Sequence, residues 1–353
     1  MNKKISLPHL GKYYIPIKYI IEKITKCEMI IPEENNKHTI SLGSKYSPDD
    51  ICMPFKYNLG NYIDALNSGA EILIQAGGGC RYGYFAELQE QILKDLGYNF
   101  TFVNLIKDNH VSLIKLYKFA KTQNKRLNIF CYAYCLLKGF LIMIFMDKLD
   151  IILRKNMGFE KQPNSFENAE KNMHQEYLTT KLSLIKIIKI YHKYKKIYKS
   201  IELKDIPRKK ILLIGELFSL MDLNSSNNIE RNLIKEGIEI TRYTNLTYLL
   251  IIKKFKRKYL LRKGKKYIKY PLGADGTESV VHAIEHCEKG VDGIIHIKSF
   301  SCVPEINAMP ILSQIGEEYH VPILYLSFDG ENNIANIDTK IEAFNDMINT
   351  KRS

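Results

Sequence analysis

The 353-residue chain contains no tryptophan, and its 20 glycines and 11 prolines are too few and too scattered for a collagen-like or low-complexity repeat. No compact Cys-x-x-Cys pair is present, so neither a zinc ribbon nor a thioredoxin-type motif is written locally. The glycine-rich stretch GGGCRYGYF lacks the Lys-Ser/Thr ending of a phosphate-binding loop, and no GxGxxG follows a first strand. Neither nucleotide fingerprint is met. The opening MNKKISLPHLGKYYIP is basic but has no unbroken apolar run and no small-residue cleavage site, which predicts a cytoplasmic rather than an exported protein. The most apolar window, Tyr134 to Leu153, is interrupted by Lys138, Asp147 and Lys148, whereas a span needs about 20 mostly apolar residues. A buried helix and no membrane span are expected.

Apolar residues make up 45% and charged residues 25%, near the globular average, which excludes wholesale disorder and lets a chain of this length hold two domains. Seven cysteines form an odd, sparse set that suits a reducing compartment and metal or catalytic roles better than a disulfide framework.

Positive charge is in excess: 52 Lys and Arg against 38 Asp and Glu give +14. The excess is local, because residues 106–205 hold 20 basic and 9 acidic side chains, a net of +11. A second run, Lys253 to Lys269, has ten basic residues and no acidic one, with Tyr259, Leu260 and Tyr267 giving it an amphipathic cast. Stretches such as IYHKYKKIYKS admit phosphate contacts and base stacking. Their helical spacing favours instead a buried apolar face with solvated lysines, so nucleic acid is not the expected partner.

The runs ISLPHL, EMIIP, EILIQAG and FTFVNL read as strands separated by helical segments, two of which stop at Gly69 and Gly97. Helix-linked consecutive strands imply a parallel sheet. After Pro207 the alternation resumes with KILLIGELF, EITRYTN, GIIHIKSF and PILYLSFD. The expected fold class is therefore α/β: two doubly wound, Rossmann-like parallel-sheet domains, residues 1–105 and 206–353, facing across a cleft. A basic helical insert or linking subdomain over 106–205 joins them. Ligands of such domains gather at the carboxyl ends of strands.

Three cysteines fall at what read as strand-end loops of this plan: Cys52 before a helix, Cys80 after a strand and Cys302 after another. Helix N-termini beside them would favour thiolates, and Gly77, Gly78 and Gly79 would let the backbone approach inorganic sulfide. Each thiol taken alone fits ordinary core packing equally well. Together they admit a metal site, which spacing does not decide.

The segments ICMPFKYNLGNYIDALNSGAEILIQAGGGCRYGYFAELQEQILKDLGY, VDGIIHIKSFSCVPEINAMPIL and VPILYLSFDGENNIANIDTKIEAFNDMI resemble the 2-hydroxyacyl-CoA dehydratase and benzoyl-CoA reductase superfamily. The nearest branch is the activase-related, CoA protein activase group. The likeness covers both α/β regions and is weakest over the helical insert. It implies that Cys52, Cys80 and Cys302 hold a [4Fe-4S] cluster, with Gly78 and Gly79 lining it, and that one iron lacks a protein thiolate. It also implies low-potential electron transfer or reductive acyl-CoA chemistry. ATP would be used only by a partner, an ATP-hydrolysing activator, since the kinase-like ATPase of the multidomain relatives is not found in this chain. A related subunit or a homodimer, and an acyl-CoA substrate, are further implied partners. Arg81, beside Cys80, and Glu305, three residues past Cys302, are the candidates to tune the cluster or hold a substrate carboxylate and a proton. The alternative is a non-catalytic accessory or scaffold that binds metal for a separate ATPase or enzyme subunit.

Other candidates read more simply. Cys131 and Cys135, one helical turn apart in an apolar setting, and Cys27, before a strand, read as packing residues. His282, His286 and Cys287 offer an i, i+4 histidine pair with metal-ligand spacing but no third partner in strand-end register.

Overall fold

Short β-branched runs in the first hundred residues form strands β1 (Lys4–Ser6), β2 (Glu28–Ile30), β3 (Ile72–Gln75) and β4 (Thr101–Asn104). All pair in parallel in the order β2-β1-β3-β4, with Ile5 opposite Met29 and Ile72, and Leu73 opposite Phe102. A small antiparallel pair follows, β5 (Ile106–Lys107) with β6 (His110–Val111). Beyond Pro207 come β7 (Lys209–Gly215), β8 (Ile238–Thr241), β9 (Gly293–Ser299) and β10 (Ile323–Phe328), again all parallel, in the order β10-β9-β7-β8. Numbered within its own sheet, each order is 2-1-3-4, so the two sheets share one topology. The structure, a computed structural model, describes residues 3–77, 84–107, 110–329 and 334–350. The chain is α/β.

It divides into two compact units, residues 1–140 and 141–353. The helices expected as one insert over 106–205 are shared out between them. Leu113–Gln123 belongs to the first unit, Ser165–Thr179 and Leu184–Ser200 belong to the second, and Ile129–Asn156 begins in one and ends in the other.

In the first unit the period-2 alternation of β3 sends Ile72 and Ile74 to one face and Leu73 to the other. Ile72 and Ile74 pack with Ile21 and Ile24 of helix Tyr14–Thr25 and with Leu116 of Leu113–Gln123. Leu73 packs with Phe55, Leu59 and Tyr62 of helix Met53–Asn67 and with Phe85 and Leu93 of Phe85–Asp95. Both faces are covered, as a parallel sheet requires. The helix Lys37–Tyr46, started by the Asn36 side chain accepting from the Thr39 N–H at 3.0 Å, lies against Met53–Asn67. A Cβ on Gly43 or Gly60 would collide with the carbonyl of Lys56 or Thr39, so these helices meet backbone to backbone.

In the second unit Leu212, Ile214 and Ile294 pack on helices Gly276–Cys287 and Val303–Glu318 through Val280, Ile284 and Leu312. Phe344 and Ile348 of helix Ile334–Thr350 lie against Gly293 from the other side.

Helix Ile129–Asn156 is long and apolar enough to cross a membrane by length and composition. Within the second unit, however, its Asp147, Asp150 and Arg154 are buried and partnered. Asp150 pairs with Arg154 and lies 3.8 Å from Arg242, which reaches Glu230 at 2.7 Å. Asp147 accepts from the Thr247 N–H at 2.9 Å. Lys148 is exposed.

Candidate functional site

A 2-1-3-4 order leaves the first and third strands of a sheet as neighbours whose connections depart to opposite sides, and the carboxyl ends of such a pair flank a crevice that commonly takes ligands. In the second unit these are β7 and β9. Glu216 follows the first and Cys302 the second. Gly215 has φ +132°, and a Cβ there would run into the carbonyl of Ile297. The Glu216 N–H donates to that same carbonyl at 2.8 Å, which presses the end of β7 against β9.

Glu216 starts helix Leu217–Met221, accepting from the Phe218 N–H at 2.7 Å, the Ser219 N–H at 3.1 Å and the Ser219 hydroxyl at 2.7 Å. Burial nevertheless pushes its carboxyl up to about 7, against those hydrogen bonds and with Asp275 adding to the rise. A group titrating there exchanges a proton near neutrality.

Cys302 occupies the N-cap of Val303–Glu318, with Pro304 in the first turn, and is partly buried. Its N–H donates to the Ser299 carbonyl at 3.0 Å, which folds the loop back on the strand it leaves. Beside it Lys298 is buried, with its ammonium donating to the Phe300 carbonyl at 3.1 Å. Loss of water lowers that ammonium's pKa, while Cys302 and Glu305 oppose the change.

One turn into the helix, Glu305 is 1% exposed. Its Oε2 lies 2.7 Å from Nε2 of His296, and its Oε1 accepts from the Ser279 hydroxyl at 3.2 Å. His296 sits inside β9 on the face turned to helices Gly276–Cys287 and Val303–Glu318, fully buried, with the Tyr325 ring edge-on at 5.6 Å. Nδ1 has no hydrogen-bond partner among the described residues. Tyr243 closes the group: burial pushes its hydroxyl well above the usual range, and Asp275, Glu305 and Glu278 add to that. Lys253 offsets the acids, 2.9 Å from Asp275 and 3.0 Å from Glu278. The arrangement concentrates proton-holding groups behind one thiol.

In the first unit Cys52 is the N-cap of Met53–Asn67, partly buried, again with a proline, Pro54, in the first turn. The sequence placed it at a strand-end loop, but it does not follow a strand. It lies between two helices, because the connection from β2 to β3 contains Lys37–Tyr46 as well as Met53–Asn67. The helix it starts nevertheless begins at the carboxyl edge of the sheet. Phe55 meets Phe85 edge-on at 5.1 Å, and Gln89 donates to the Phe55 carbonyl at 3.2 Å, both on the helix that follows β3. Gly78, Gly79, Cys80 and Arg81 lie outside the described residues. Gly77, just before them, accepts from the Gln75 side chain at 3.1 Å.

Of the remaining cysteines, Cys27, Cys135 and Cys287 are buried and Cys131 is exposed. Burial raises the Cys287 thiol to about 11, and its side chain belongs to the core, so it does not complete a site with His282 and His286. Glu285 does, since it groups with both histidines.

Sequence reasoning named Cys302 and Glu305 and missed Glu216, His296, Ser279 and Tyr243. Two signals were legible. A histidine stands inside an otherwise apolar strand, GIIHIKS, and a glutamate follows the glycine that ends another, KKILLIGE. No family model matches this chain, and no curated protein matches it.

Proposed function

We propose that the chain is an iron-sulfur protein of the 2-hydroxyacyl-CoA dehydratase and benzoyl-CoA reductase type, in the CoA protein activase-related branch, with Cys52, Cys80 and Cys302 as ligands of one [4Fe-4S] cluster. The reading includes two Rossmann-like domains facing across a cleft, electrons delivered by a separate ATP-hydrolysing activator, and an acyl-CoA as candidate substrate. A cluster held by three thiolates supplies a low-potential electron and one iron open to an exogenous oxygen.

The observation that carries the reading is the setting of Cys302: a partly buried thiol on a helix N-cap, at the carboxyl ends of the neighbouring first and third strands of a parallel sheet. The Lys298 side chain lies beside that thiol, close enough for the two to interact electrostatically. Cys52 repeats the cap and the proline on its own helix. The donors available thus have the chemistry such a centre needs. Behind Cys302, Glu305 Oε2 holds His296 through Nε2 at 2.7 Å, and Nδ1 has no hydrogen-bond partner among the described residues. Glu216, titrating near neutrality, is the group suited to give or take a proton at this edge.

The test is anaerobic purification followed by electron paramagnetic resonance after reduction through an activator ATPase, with acyl-CoA candidates added. A reduced-cluster signal that decays as an acyl-CoA is consumed supports an enzyme component. A signal that persists without turnover supports the accessory role. A stable protein that is silent and free of iron overturns both.

A further inference from the structure

His282, Glu285 and His286 stand at i, i+3 and i+4 of helix Gly276–Cys287, so they share one face, one turn long. The opposite face, Val280, Ala283, Ile284 and Cys287, is core. One ligand atom from each of the three lies within 4.8 Å of those of the other two. We propose that these residues bind a divalent first-row transition ion of the zinc class, at a site separate from the three cysteines.

Four observations carry it. His282 is 5% exposed, and neither ring nitrogen makes a hydrogen bond among the described residues. Its Nδ1 is 3.0 Å from Glu285 Oε2, an ion-pair distance that leaves Nε2 with nothing. A buried imidazole so placed costs free energy unless something takes its lone pair. His286 places Nδ1 2.8 Å from the His282 carbonyl oxygen, which only accepts. Its proton therefore sits on Nδ1, and Nε2 carries the lone pair, the arrangement by which metal-binding histidines are commonly fixed. Glu285 brings its carboxylate to the same face, with Oε2 3.0 Å from Nδ1 of His282. The Tyr259 hydroxyl donates to its Oε1 at 2.6 Å, which orients the carboxylate as an outer partner orients a ligand. The Tyr243 ring, stacked on His282 at 4.1 Å and 17°, holds the imidazole plane.

Two imidazoles and one carboxylate are the donor set of open zinc sites, with a fourth position left for water. The partial exposure of Glu285 and His286 provides that opening. Imidazole discriminates against magnesium and calcium, which prefer all-oxygen shells.

The test uses the full chain with Cys52, Cys80 and Cys302 all replaced by serine, stripped with chelator and titrated with Co2+ as a spectroscopic probe and with Zn2+ in competition. The expected result is a visible spectrum of nitrogen and oxygen ligation without thiolate bands, displaced by Zn2+ and unaffected by Mg2+. In the same background His286→Ala and Glu285→Gln, both at partly exposed positions, weaken binding about tenfold or more. Zn2+ raises the melting temperature of the parent and not of His286→Ala. Failure of the serine background to take up Co2+, or uptake unchanged by His286→Ala, overturns the site without touching the iron-sulfur reading.

Discussion

Glu216 and Glu305 stand at the same edge of one sheet, but their partners separate their roles. Glu305 is tied to a histidine and a hydroxyl, whereas Glu216 is held by its own helix start and is dominated by desolvation. The Glu216 carboxyl titrates near 7 in the folded chain against 4.5 for the free group, so between those values the folded state binds the extra proton. Its contribution to stability is present below about 4.5 and is lost as pH rises through 7, on the order of 3 kcal/mol in total. Glu216→Gln removes this slope. Chemical denaturation across pH 4.5 to 8 should therefore show the variant gaining on the parent as pH rises, and parallel curves would contradict the assignment. Glu305 was legible because it follows a cysteine at a helix start. His296 was not, since strand alternation marks a face but does not say which polar side chain on it finds a partner. Glu285 was not legible as a ligand, because an acid on a partly exposed helix face reads as an ordinary solvated charge.

Elements were read well wherever periodicity was strong. The eight long-range parallel strands emerged from β-branched runs between helix stops, as did the helices ending before Gly69 and Gly97. Lys37–Tyr46 went unread: NKHTISLGSKY mixes a β-branched pair with a mid-helix glycine, and the reason for that glycine is a tertiary contact with Lys56. Short pairings such as β5 with β6 leave no periodic trace. Helix Ile129–Asn156 is long and apolar enough to cross a membrane, yet the charges that interrupt it mattered more, since Asp147, Asp150 and Arg154 are buried and partnered inside the second unit. Asp150→Ala should cost about 3–5 kcal/mol by leaving Arg154 and Arg242 buried without their shared carboxylate. A melting temperature within a degree or so of the parent's would show that this network is solvated and the helix less enclosed.

For the whole molecule, the duplicated plan was visible before the structure, as two β/α alternations separated by a basic helical stretch. The common 2-1-3-4 order was not, because strand order depends on which crossover packs on which face. The net charge of +14 belongs to helix surfaces and not to the candidate site, where acids outnumber the two lysines. The central claim is that sulfur atoms remote in sequence serve one inorganic centre. The most direct measurement is iron and acid-labile sulfide per chain, after anaerobic isolation, in the parent and in the single variants Cys52→Ser and Cys302→Ser. The account predicts about four of each in the parent and loss of nearly all of both in either variant. Full iron content in either variant, or none in a folded parent, would contradict it.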